Sequence, residues 1–167
     1  VRGQLSVMAV IAGLVACLPA GGCGDKPRPS AAARSDTCRV SDGPSADTVR
    51  RAIASVPVEV PGSSWVEIAR GHAKNCRLYW VQIIPTIASE STPQQLLFFD
   101  RDTALGPATP KPKPYITVLP PADDTVQVRY QWRVGSDEEC CPSGSGTVKF
   151  QIGPDGKLTA LGPIPHQ

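Results

Sequence analysis

The chemistry available to this chain of 167 residues rests mainly on its six cysteines. Cys23 closes the run Ala20-Gly21-Gly22-Cys23, at the end of an apolar stretch that begins near Leu5 behind the charge of Arg2. Small residues ahead of a cysteine suit a peptidase that grips thin, extended backbone. The thiol is then the nucleophile that takes up diacylglycerol before cleavage frees its α-amine. This is the pattern of a bacterial lipobox, with Ala20 where leucine is usual. Leu14-Val15-Ala16-Cys17 fits that pattern better by residue type, but cutting there would leave the apolar Leu18-Pro19-Ala20-Gly21-Gly22 on the mature end. After Cys23 the chain turns polar at once with Gly24-Asp25-Lys26-Pro27, so position favours Cys23 and Cys17 is the alternative. The apolar run falls short of the ~20 residues a spanning helix needs and is interrupted by Gly13 and Pro19. Residues 1–22 therefore read as a cleaved signal peptide. At ~0.8 kcal/mol per buried methylene, two acyl chains contribute on the order of 20 kcal/mol, a permanent hold on the extracytoplasmic face of the cell membrane.

Outside the cytoplasm the remaining cysteines should be oxidised. Cys38, Cys76, Cys140 and Cys141 allow three pairings, and the residues alone leave them open. The adjacent Cys140 and Cys141 would form a vicinal bridge or stay reduced, and such a tight ring reduces easily, which would make the 135–146 loop a thiol or redox sensor. In the competing pairing each bonds Cys38 or Cys76 as plain stapling. The acids Asp137-Glu138-Glu139 beside Cys140 disfavour its thiolate and argue against a reactive nucleophile there.

Other side chains offer less. The two histidines, His72 in an expected turn and His166 near the end, supply neither a paired nucleophile nor a multi-histidine metal site. Gly144-Ser145-Gly146 lacks the strand-turn-helix setting of a nucleophile elbow. Asp100-Arg101-Asp102 and Asp123-Asp124 could together hold a hard cation, but acids at such places are ordinary turn formers. No phosphate loop or dinucleotide fingerprint occurs. With 17 Lys and Arg against 15 Asp and Glu, no basic excess points to nucleic acid. The expectation is a protein that is not an enzyme, with no cofactor and no metal.

The elements that must position these residues begin with a tether. Residues 23–44 follow the signal as Pro, Ser, Ala, Gly and charge, with Cys38 as the point where the linker is pinned. Such a tether spans roughly 25 Å as a coil and at most about 65 Å if polyproline-like. A single domain, 45–167, follows. Its first element is a helix from Ser45 to about Ser55, with Ser45 as N-cap, Asp47 at the positive end of the dipole and Pro57 as the stop. Ala46, Val49, Ile53 and Val56 share one face, and Arg50 and Arg51 point away. From Trp65 the pattern has period two. Strands are expected at Trp65–Arg70, Arg77–Ile84 (apolar on both faces), Gln95–Asp100, Tyr115–Leu119, Thr125–Val134, Thr147–Ile152 and Leu158–Leu161. Between them, the prolines of 106–114 predict an extended, solvated segment. The predicted fold class is α+β, a single antiparallel sheet of about six strands in a meander, covered by one N-terminal α-helix.

Several stretches together resemble the LppP/LprE family of actinobacterial lipoproteins: the lipobox at Cys23, Trp65, Asn75-Cys76-Arg77-Leu78, Leu97-Phe98-Phe99-Asp100, Leu105-Gly106, Thr125 to Trp132, Val148-Lys149-Phe150 and Leu161-Gly162-Pro163-Ile164-Pro165. The likeness covers nearly the whole chain. It implies an envelope lipoprotein and brings no catalytic motif to carry over. It also implies the pairing of Cys38 with Cys76, since chains of this kind tend to carry cysteines at those two places, and that pairing would staple tether and helix to the central strand. Two function classes remain. The favoured one is a binding or assembly module that meets an envelope protein, lipid or glycan through 106–114 or through an aromatic concavity near Trp65, Tyr79, Trp80 and Trp132. The other is an envelope enzyme with an unfamiliar carboxylate site.

Overall fold

A computed structural model describes residues 37–165, all within one compact unit. The lipobox, Cys17, Cys23 and His166 lie outside the described residues. The chain enters through a short 3-10 turn, Val40–Asp42, and then forms α1, Ala46–Ala54. Ser45 caps α1 by accepting from the Thr48 amide at 3.3 Å. Val49 is buried and Ala52, Ile53 and Val56 are partly buried, while Ala46 is exposed.

Eight strands follow: β1 Trp65–His72, β2 Leu78–Pro85, β3 Gln95–Asp100, β4 Thr103–Pro107, β5 Ile116–Val118, β6 Val126–Trp132, β7 Gly144–Ile152 and β8 Leu158–Ala160. They form two four-stranded antiparallel sheets, ordered β1-β2-β3-β4 and β5-β6-β7-β8. The single helix-covered sheet expected from the sequence is therefore wrong, and the protein is mostly β. The physical reason lies in β2 and β3, which are apolar on both faces. Their even positions Leu78, Leu96 and Phe98 pack against Val126, Val128, Tyr130, Val148 and Phe150 of the second sheet. Their odd positions Tyr79, Val81, Ile83, Leu97 and Phe99 pack with Trp65 against α1. The Phe98 and Phe150 rings stack at 5.0 Å between centroids across the sheets.

β4 is the strand the periodicity missed. It leaves β3 by a tight reversal at Arg101 and carries a bulge where Phe98 pairs with Gly106 and Phe99 with Ala104. Gly106 takes φ of +111°, which a side chain would oppose. The 106–114 segment is also less solvated than predicted: Ala108 and Thr109 are only 8% and 1% exposed. Pro107 itself belongs to β4, and the non-proline amides between the rings still donate. Ala108 N bonds Leu96 O at 2.7 Å, and Gln94 and Lys113 exchange two bonds of 2.9 Å. Gln95 Nε2 reaches Thr109 O at 3.0 Å. The prolines thus mark the passage from one sheet to the next.

Candidate functional site

Cys38 and Cys76 are bonded, with Cα atoms 5.3 Å apart. Cys76 sits in the turn after β1 with φ of +55°. Around it the chain is held three more ways. Gly43 lies against the Tyr79 ring so closely that a Cβ would come within 2.7 Å of it. The Ser45 amide donates to Asp102 at 2.7 Å, and Arg77 clamps Asp100 through Nε and Nη2, the latter at 2.7 Å. The Arg77 hydrogen bond holds the Asp100 carboxyl below its ordinary range, as the Ser45 amide does for Asp102. These acids are structural ties. Asp123 pairs with Lys74 at 3.2 Å, and no metal-ligating group of three occurs among the described residues. His72 ends β1 rather than sitting in a turn, with Nδ1 3.0 Å from Ala73 O. It borders a cleft of about 270 Å³ with Tyr79 and Trp80.

The aromatic side chains do not converge. Trp65 and Tyr79 belong to the helix-side core, where Trp65 Nε1 donates to Val56 O at 3.1 Å. Trp80 faces the other way and packs on the inter-sheet core, and Trp132, at the end of β6, lies over Gly144 and Gly146.

The loop after β6 is built in detail. Asp137 Oδ2 accepts from Val134 N at 2.8 Å and from both the amide and the hydroxyl of Ser143 at 2.7 Å, closing the loop at its two ends. Those amides hold its carboxyl below the ordinary range. Glu139 accepts from the hydroxyls of Ser91 and Ser89 in the turn before β3, which also holds its carboxyl below the ordinary range. The Tyr115 hydroxyl donates to the Glu139 carbonyl at 2.6 Å. Cys140 and Cys141, both exposed, are bonded to each other, their Cα atoms 3.8 Å apart. Of the three neighbouring acids only Glu138 stands near a sulfur, its Oε2 3.9 Å from Cys140 Sγ. Sequence reasoning missed the structural roles of Asp137, Glu139 and Tyr115, because their partners are remote or six residues away with no motif between.

A second feature emerges from register alone. The outward positions of the second sheet are Thr117, Gln127, Arg129, Gln131, Ser145, Thr147, Lys149, Gln151 and Thr159. Thr117, Arg129 and Thr147 form one row across three strands, and Gln127 faces Lys149. Among the described residues this face carries no carboxylate and neither Arg129 nor Lys149 forms a salt bridge, whereas Arg50, Arg70, Lys74 and Arg77 all do.

Residues 70–155 match the family profile described as LppP/LprE lipoprotein. The chain is 69% identical over 150 residues to the lipoprotein LppP of Mycobacterium bovis and equally to that of Mycobacterium tuberculosis, covering 90% of this chain and 86% of theirs. No solved structure matches it. With the family profile spanning half the chain and this identity extending over nearly all of it, the chain belongs to the LppP/LprE family of lipoproteins, with the membrane association that membership carries.

Proposed function

We propose that this lipoprotein is a non-catalytic binding or assembly module of the cell envelope. It is held by the lipid on Cys23 at the extracytoplasmic face of the membrane and docks an acidic envelope protein on the outer face of its second sheet. The carrying observation is that face: an array free of carboxylates among the described residues, in which the exposed Arg129 and Lys149 lie diagonally across β6 and β7. Two like charges so placed repel one another, and an acidic partner relieves that repulsion while its polar groups meet the Gln and Thr side chains. The carboxyls with shifted ionisation, Asp100, Asp102, Asp137 and Glu139, are all held as anions by donors. That is opposite to what a general acid at neutral pH requires and favours binding over catalysis.

The test is photocrosslinking in intact cells, with a photoreactive residue at Gln127 or Thr147 of the lipidated protein. The expected result is one reproducible protein adduct, lost on Arg129→Glu/Lys149→Glu. Absence of any adduct above the level given by a probe at an unrelated exposed position, such as Ser55, would overturn the docking surface. Mass spectrometry of the mature N-terminus tests the anchor separately, with diacylglycerol on Cys23 expected and on Cys17 excluded.

A further inference from the structure

We infer that Cys140–Cys141 is a reversible thiol–disulfide site whose substrate is an exposed dithiol, and that its oxidation state sets the order of the loop it sits in. The two disulfides do different jobs. Cys38–Cys76 spans a sequence separation of 38 and so restrains the unfolded chain, whereas Cys140–Cys141 joins neighbours and closes no segment beyond itself. A bond that staples nothing is explained by local chemistry. Its Cα atoms are 3.8 Å apart, below the usual span of about 4.4–6.8 Å for bridged cysteines, and pairs outside that span reduce more readily.

The surroundings present the bond rather than hide it. Both sulfurs belong to exposed residues. Asp137 fixes the loop ends while Glu139, the residue immediately before the bond, ties the loop through its side chain to Ser89 and Ser91 and through its carbonyl to Tyr115. A change in the 140–141 peptide is therefore felt first at Glu139, and through it at the turn before β3 in one sheet and the start of β5 in the other.

The reaction balances as an exchange. A thiolate of the dithiol attacks one protein sulfur, the other leaves as a thiolate and takes up a proton, and the second thiol of the reductant resolves the mixed disulfide. Two electrons and two protons pass to the protein, and the reductant ends as its own disulfide.

The test titrates the intact protein with oxidised and reduced dithiothreitol, quenches with acid, alkylates and maps peptides by mass spectrometry, with hydrogen exchange read in parallel. Cys140 and Cys141 are expected to gain two alkyl groups together at a reduced-to-oxidised ratio at least ten-fold lower than Cys38 and Cys76, and to lose that reactivity on reoxidation. Exchange is expected to rise at 133–144 and 87–92 in the same step and nowhere in β2 or β3. Cys140→Ser/Cys141→Ser should reproduce the reduced exchange pattern with the melting temperature of the oxidised protein. Reduction of both pairs at one ratio, an unchanged loop after reduction, crossed bonds to Cys38 or Cys76, or free thiols at 140 and 141 in protein blocked at lysis would each overturn the inference.

Discussion

The hydroxyl of Tyr130 lies in the inter-sheet core at 2% residue exposure and has no hydrogen-bond partner among the described residues. Burial pushes its ionisation far above the ordinary phenol range. A buried donor left unmade costs about 1–3 kcal/mol in desolvation that no bond returns. Tyr130→Phe keeps the ring and removes the oxygen, so it is expected to raise stability by about 1 kcal/mol, read as a higher urea midpoint at unchanged slope. Asp137 works in the opposite sense, its Oδ2 accepting from Val134 and from Ser143. Its folded carboxyl ionises at lower pH than its unfolded one, so its contribution is complete above the unfolded value of about 3.9 and disappears as pH falls through the folded value. Loop exchange rates in wild type and Asp137→Asn should differ clearly at pH 7 and converge on acidification below about pH 4. A difference that does not shrink at all as the pH falls from about 4 would mean the carboxylate charge is not what closes the loop.

At the scale of elements, α1 and the chain leading into it are held less by their own length than by ties at their start. A nine-residue helix is marginal alone, and it borrows order from the Ser45 cap, the Ser45–Asp102 bond and the Cys38–Cys76 bridge. By the chain-entropy account, Cys38→Ser/Cys76→Ser should cost about 4 kcal/mol in urea unfolding, with hydrogen exchange rising first in α1. Its boundaries were readable because Ser45 and Pro57 act locally. So was β6, where Val126, Val128 and Tyr130 alternate with Gln127, Arg129 and Gln131. β4 was not readable: Thr103, Ala104, Leu105, Gly106 and Pro107 carry no alternation, and its pairing depends on a bulge that only the partner strand defines. For the same reason the loop around Cys140 was legible as a pair of reactive types and illegible as a structure.

The described residues form three layers, α1 over one sheet and that sheet over another, with two apolar cores. Periodicity shows which side of a strand is buried but not what buries it. That is why a strand such as β2, apolar on both faces, reads in sequence like the interior of a single sheet, whereas its two faces pack against different layers. Phe98 stands where the sheets meet, fully buried against Phe150. Phe98→Ala should cost about 3–5 kcal/mol, measured by denaturation. A cost below 1 kcal/mol would mean the two sheets do not share a core.

The burial of β2 and β3 on both faces also shapes how this sequence can vary. A strand with one wet side offers a neutral position at every second residue, but Leu78 to Ile83 and Leu96 to Phe99 offer almost none. In a saturation scan for folded protein, tolerated change should vanish over consecutive positions in these two strands and return on alternate positions in β6 and β7. New surface chemistry in this lineage is then shut out of β2 and β3 and left to the exposed positions of β1, β4, α1, the second sheet and the loops.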